Sequence, residues 1–188
     1  DFIPEGFANN ILVTDCWATY FKTGARGHQL CTSHLLRELK YFIERYPENT
    51  WIRRVHDLII NSLDMHRDGD LSHEKINEID LTFHTILKEP ATENKKDREL
   101  IAFQKRMVKY EDYVFEFLRN PDIPPDNNAS ERAVRNFKVK LKVSGFFKSI
   151  EGSRTYATIR SVIDTAIKNE INPYEELMLI ADNAVATE

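Results

Sequence analysis

The sequence predicts a mainly helical fold with a small β component. Two observations carry that prediction. Apolar residues recur every three to four positions over most of the chain after Ser33, the period of helices with one buried face. Against this stand only short runs with strand character: Ile11-Leu12-Val13-Thr14, a brief stretch at residues 28–31, and the surroundings of Val143. Two or three such strands make a sheet too small to stand alone, so either they pair with strands elsewhere in a parent protein or a neighbour supplies the pairing.

Taken in order, Ile11-Leu12-Val13-Thr14 is apolar and β-branched, and it leads into Asp15, so a strand there places a carboxylate at the rim of a sheet. Residues 16–21 fit a short helix with Trp17, Tyr20 and Phe21 packed inward, ended by Gly24 and Gly27. From Ser33, a plausible N-cap, Leu35, Leu36, Leu39, Phe42 and Ile43 form one stripe that Pro47 terminates. Three longer helices follow at residues 50–67, 72–88 and 94–118. The first closes at Asp68-Gly69, the second stops before Pro90, and Trp51 is expected in the core. A Pro-rich break at residues 120–125 precedes a helix that carries Asn128 and Glu131. Ser144-Gly145 reads as a turn, residues 152–169 as a helix, and Asn172-Pro173 as a cap followed by proline in the first helical position, with Glu175 and Glu176 in the first turn.

The totals bound the function. A hydrophobic fraction of 41% can bury a core, a charged fraction of 30% is that of a soluble domain, and no apolar run approaches the roughly 20 residues of a membrane span. Two cysteines, Cys16 and Cys31, are too few for a disulfide framework, as expected of a cytoplasmic protein. The chain opens at Asp1 with no signal segment, as expected of a piece of a larger domain. With a net charge of -4, any nucleic-acid binding must come from a local patch.

Such a patch exists. Residues 132–148 contain Arg132, Arg135, Lys138, Lys140, Lys142 and Lys148 and no acid. The spacing of Asn128 and Glu131 is by itself that of a capping box, in which the Asn accepts from a first-turn N–H and the Glu reaches back to the cap. A capping box does not explain why one carboxylate heads a wholly basic helix. That arrangement suits metal-assisted chemistry on a phosphate backbone, in which two ions about 3.5–4 Å apart are held by hard oxygen ligands. A solvated helix face accounts for the same basic residues if no such chemistry is present.

Two blocks of residues bring in a known family. Thr14-Asp15-Cys16-Trp17-Ala18-Thr19-Tyr20 with Cys31-Thr32-Ser33-His34-Leu35-Leu36-Arg37-Glu38-Leu39, and Asn127-Asn128-Ala129-Ser130-Glu131-Arg132 with Lys140-Leu141-Lys142-Val143-Ser144-Gly145-Phe146-Phe147-Lys148-Ser149, resemble the insertion-sequence sixty-six family of bacterial transposases. The likeness continues through residues 152–173, while residues 50–120 match only in position and character. What the resemblance implies is part of a DDE catalytic domain with a truncated RNase H-like α/β core: residues 1–36 the partial core, 37–120 an all-helical insertion, and 121–188 the C-terminal core helices. It implies Asp15 and Glu131 as catalytic metal ligands, two Mg²⁺ (or Mn²⁺) ions in the complete site, and His34 as a helper near the scissile phosphate. Arg132, Arg135, Lys138, Lys142, Lys148 and Arg37 are implied contacts to double-stranded DNA, both transposon ends and target. It further implies action as a homo-oligomer on DNA, and a first acid upstream of Asp15. Asp1, the one earlier Asp, lies in no strand pattern, so the piece alone is expected to be inactive.

Other readings remain open on the sequence. Cys31 and His34, joined by His28 and Cys16, could form a zinc site, although the spacing offers no second ligand pair. Trp17 and Trp51 read as core anchors before base-stacking platforms, and Arg37 with Glu38 as a surface pair. The whole chain could instead be a non-catalytic helical DNA-binding or assembly module, or a helical bundle that binds only protein.

Overall fold

The computed structural model describes residues 6–185 and divides the chain between Asn128 and Ala129 into two compact units. In the first, strand β1 (Ile11–Thr14) pairs in parallel with β2 (Gly27–Leu30), Ile11 opposite Gly27 and Thr14 opposite Leu30. Gly27 packs closely under Ile11: a Cβ there would meet the Ile11 side chain at 3.3 Å, tight enough that the side chain would have to give way slightly. The expected helix between the strands is reduced to a single 3-10 turn, Tyr20–Lys22. Phe21 packs against the core, but Trp17 does not. It is 61% exposed, which overturns its assignment as a core anchor.

Helix α1 (Thr32–Arg45) starts directly after β2. Its cap is Cys31 and not Ser33, because Thr32 is already held in place: both its N–H and its hydroxyl donate to the Pro125 carbonyl, each at 3.0 Å. Helices α2 (Thr50–Asp68) and α3 (His73–Lys88) begin at Asn49 and Ser72, whose side chains accept from Ile52 N–H and Lys75 N–H. Gly69 ends α2 in the left-handed region at φ 74°, where a side chain would be strained. Their apolar stripes meet those of α1 and α4 (Arg98–Lys109) in one core that includes Leu39, Phe42, Trp51, Ile52, Ile59, Phe83, Phe103 and Met107. Trp51 lies there as expected, its indole N–H donating to the Ile86 carbonyl at 2.7 Å.

The helix expected over residues 94–118 is broken in three: α4, a 3-10 turn at Glu111–Tyr113, and the short α5 (Glu116–Arg119). No proline or glycine causes the break. Tyr110 stacks on Phe21 with ring centroids 4.1 Å apart, and Tyr113 packs on Phe21 and His28, so ring packing against the sheet bends the chain out of helical register. The main-chain groups freed by the bend are satisfied by the fully buried Gln29. Its amide nitrogen donates to the Leu30 carbonyl (2.6 Å) and the Val114 carbonyl (2.9 Å), and its oxygen accepts from Phe117 N–H (3.0 Å).

The second unit contains α6 (Asn128–Ser144, its first residue belonging to the first unit), α7 (Ile150–Lys168) and α8 (Pro173–Val185). The strand expected around Val143 is absent: α6 runs through it and ends at Gly145, where φ is +73°. Phe137, Phe147 and Tyr156 form a ring cluster with centroids 5.2–5.8 Å apart. Asn172 caps α8 by accepting from Tyr174 N–H at 3.0 Å, with Pro173 first in the helix as the sequence predicts.

Candidate active site

Asp15 directly follows β1 and is half-buried. Its Oδ1 accepts from the Trp17 main-chain N–H at 3.0 Å, which folds the chain back sharply and aims the carboxyl group beyond the carboxyl end of a parallel strand. In open α/β sheets that is where ligands bind. A cavity of about 250 Å³ opens here, lined by Asp15, Cys16, Trp17, Leu30, Cys31, His34, Leu35, Glu38 and Arg106. Asp15 and His34, paired from sequence, thus share one cavity. Arg37 stands exposed on α1.

Arg106 and Glu38 are the charged residues that sequence reasoning missed. Glu38 accepts from Arg106 Nη2 across the cavity wall, which removes the expected Arg37–Glu38 pair. No local spacing joins residues 68 positions apart. Burial works most strongly against the Arg106 charge, but the Glu38 hydrogen bond and the charge interactions with Glu38, Cys16 and Tyr110 together outweigh it, so the guanidinium pKa rises. The Cys16 thiol moves the same way, to about 11, chiefly because burial disfavours the thiolate, with Arg106 opposing and Glu38 and Asp15 reinforcing.

The stretch before Glu131 departs from the capping box. The Asn128 N–H, which a capping box offers to Glu131, goes to Asp126 Oδ1 at 2.9 Å, and Asp126 Oδ2 takes the Ser33 hydroxyl at 3.2 Å and the Asn128 side-chain amide at 2.8 Å. The same amide donates to Ser33 Oγ at 3.0 Å, and Asn127 N–H donates to Cys31 Sγ at 3.4 Å. The two sequence blocks singled out by their residues are therefore knotted together at Cys31, Ser33 and Asp126–Asn128. A run of Asp and Asn after proline signals turn chemistry, but its partner 93 residues away leaves no trace in the sequence.

Within α6, Glu131 is half-buried in the first turn, and Arg132, Arg135, Lys138 and Lys142 are exposed. Steps of four, three and four residues put Glu131, Arg135, Lys138 and Lys142 on one face, with Arg132 at its flank. Lys148 is exposed in the loop after Gly145.

The zinc alternative fails. His28 is buried between the rings of Phe21 and Tyr113, Cys31 is engaged by Asn127, and among the described residues no group of three His, Cys, Asp or Glu side chains is placed to hold a metal. Asp15 does fit Mg²⁺, which takes one or two carboxylates together with water and substrate phosphates and needs no closed protein cage. Asp1 lies outside the described residues.

A family model described as the transposase IS66 family matches residues 3–155. The chain belongs to the IS66 transposase family. The IS66 match takes in Asp15, the Cys31–His34 turn, Glu131 and the basic run to Lys148, and it ends early in α7, short of the likeness read through residue 173. No curated protein and no solved structure matches the chain. Among the described residues no helix is long and apolar enough to cross a membrane.

Proposed function

We propose that this IS66-family chain is the C-terminal part of a DDE catalytic domain that cuts and joins DNA strands during movement of an insertion sequence. The observation that carries the reading is the position of Asp15, at the carboxyl end of a parallel strand, on a cavity it shares with His34. Residues 1–36 are read as part of an RNase H-like core, 37–120 as a helical insertion, and 121–188 as core helices that carry the last acid.

Asp15 and Glu131 would hold Mg²⁺ or Mn²⁺. When bound, such ions supply charge stabilisation to the attacking and leaving oxygens of a phosphodiester. The chain's own side chains do the rest. His34 orients the phosphate beside Asp15. Arg135, Lys138 and Lys142, with Arg132, Lys148 and Arg37, engage the DNA backbone of transposon ends and target, and fix register without reading sequence. The working form is a homo-oligomer on DNA in the cytoplasm.

The test is strand cleavage by the full-length transposase with Mg²⁺. Glu131→Gln and Asp15→Asn each abolish cutting while DNA binding persists. Full cutting by Glu131→Gln refutes the ligand assignment and leaves a non-catalytic helical DNA-binding module.

A further inference from the structure

The turn between α6 and α7 carries side chains that neither the fold nor the proposed chemistry uses. Val143, Phe146 and Ile150 are 70–80% exposed, and all three fall within residues 143–150. Every other described phenylalanine is buried or half-buried. The turn itself is firmly built. Gly145 ends α6 in the left-handed region, and the Phe147 ring lies against Phe137 and Tyr156 with centroids 5.2 and 5.6 Å apart. Ser149 caps α7 by accepting from Gly152 N–H at 2.9 Å. Phe147 thus anchors the turn, while its neighbour Phe146 is held out in water.

The charges around this apolar tip select among occupants. Lys142, Lys148 and Arg154 stand against the one acid Glu151, and the acid-free basic run of α6 leads directly into the turn. All four are exposed. A second copy docked through the same patch would set cation against cation, because a two-fold contact brings identical surfaces together. The partner that fits is a polyanion with apolar surface between its charges. Duplex DNA has that form, with phosphates along its outside and stacked bases between them.

We propose that Phe146 is a wedge: with Lys142 and Lys148 on the phosphates, its ring enters between two base pairs of the duplex, unstacks that step and bends the DNA. The inference rests on the reading of α6 as a contact to the DNA backbone, and adds to it a part that touches the bases. An inserted apolar side chain offsets the cost of unstacking by letting the bent duplex meet more protein surface. Such a wedge makes no hydrogen bond to a base edge, so it discriminates only by how easily a step opens.

The experiment uses the full-length transposase without divalent metal, so that no strand is cut, and a short duplex labelled at both ends for energy transfer. Transfer rises when the parent binds, as for a kink of about 20–90°. A duplex with one mismatched pair, whose step opens more easily, binds about 10-fold tighter than its matched counterpart. Phe146→Ala loses both the kink and the mismatch preference. Its slope of log affinity against log salt stays that of the parent, because no phosphate contact is removed. Phe146→Leu keeps most of both effects. Bending that survives in Phe146→Ala, or a parent that binds without bending, overturns the proposal. So does a Phe146→Ala variant that loses only self-association in sedimentation, which gives the tip to a second copy. If the parent binds no DNA, the DNA reading falls and takes the wedge with it. If the parent bends DNA through Phe146 and Glu131→Gln still cuts, only the metal assignment falls.

Discussion

Replacing Gln29 with leucine tests the explanation given for the break between α4 and α5. The side chain is fully buried and spans from β2 to the bend, where it donates to the Val114 carbonyl and accepts from Phe117 N–H. Leucine fills similar space but leaves both groups unpaired in the core. An unsatisfied buried polar group costs about 1–3 kcal/mol, so the pair should cost about 2–6 kcal/mol. Part of a typical domain stability of about 5–15 kcal/mol is thereby lost. Urea unfolding followed by far-UV circular dichroism measures this directly, as a fall in the transition midpoint at nearly constant slope. Gln29→Glu should also destabilise, because a carboxylate accepts from Phe117 N–H but has no hydrogen to give Val114. A loss under about 1 kcal/mol for Gln29→Leu would mean that the bend closes its own hydrogen bonds, and that ring packing alone shapes it.

Two further outcomes follow from the geometry. Removing the cations of one α6 face with Arg135→Gln, Lys138→Gln and Lys142→Gln should reduce the slope of log affinity against log salt by about 2.7, at about 0.9 per phosphate contact on duplex DNA; an unchanged slope in an anisotropy titration would place the DNA elsewhere. His28, with its Nδ1 unsatisfied among the described residues and its ring between Phe21 and Tyr113, has its pKa lowered from 6.5 by desolvation. The unfolded chain therefore takes up the proton first as pH falls through 6.5, so this contribution is present above that pH and is lost below it. Denaturant midpoints between pH 7 and pH 5 should fall more steeply for the parent than for His28→Phe, and parallel profiles would contradict the sign.

The sequence reads well where structure is local. The boundaries of α2, α3 and α8 follow from Asn49, Gly69, Ser72 and Asn172-Pro173, whose side chains or missing Cβ act within four residues. The strand that ends at Asp15 is equally legible, because a β-branched apolar run has few other uses. What escapes is set by distant partners. The bend after Lys109 depends on Phe21 and on Gln29, whose bond to Phe117 spans 88 residues, and nothing between Asn94 and Leu118 announces it. Trp17 reads as a core residue on hydrophobicity alone, yet it stands 61% exposed beside the cavity at Asp15. The Asn128–Glu131 spacing matches a motif closely enough to hide Asp126, which takes the Asn128 N–H that the motif assigns to Glu131. Asp15 and His34 are placed at one site by the family resemblance of the residues around them; the Glu38–Arg106 pair offers no such cue.

The bonds from Thr32 to the Pro125 carbonyl give the long helical excursion a closed mouth. With entry and exit pinned to each other, the length of the path between them is decoupled from the residues at its base. Lengthening a connection such as the one between Asp68 and His73 adds only a logarithmic entropy cost and need not shift Cys31 or Asp126. Trimming, extending or exchanging that lobe as a unit therefore leaves the Cys31–Asp126 junction in place.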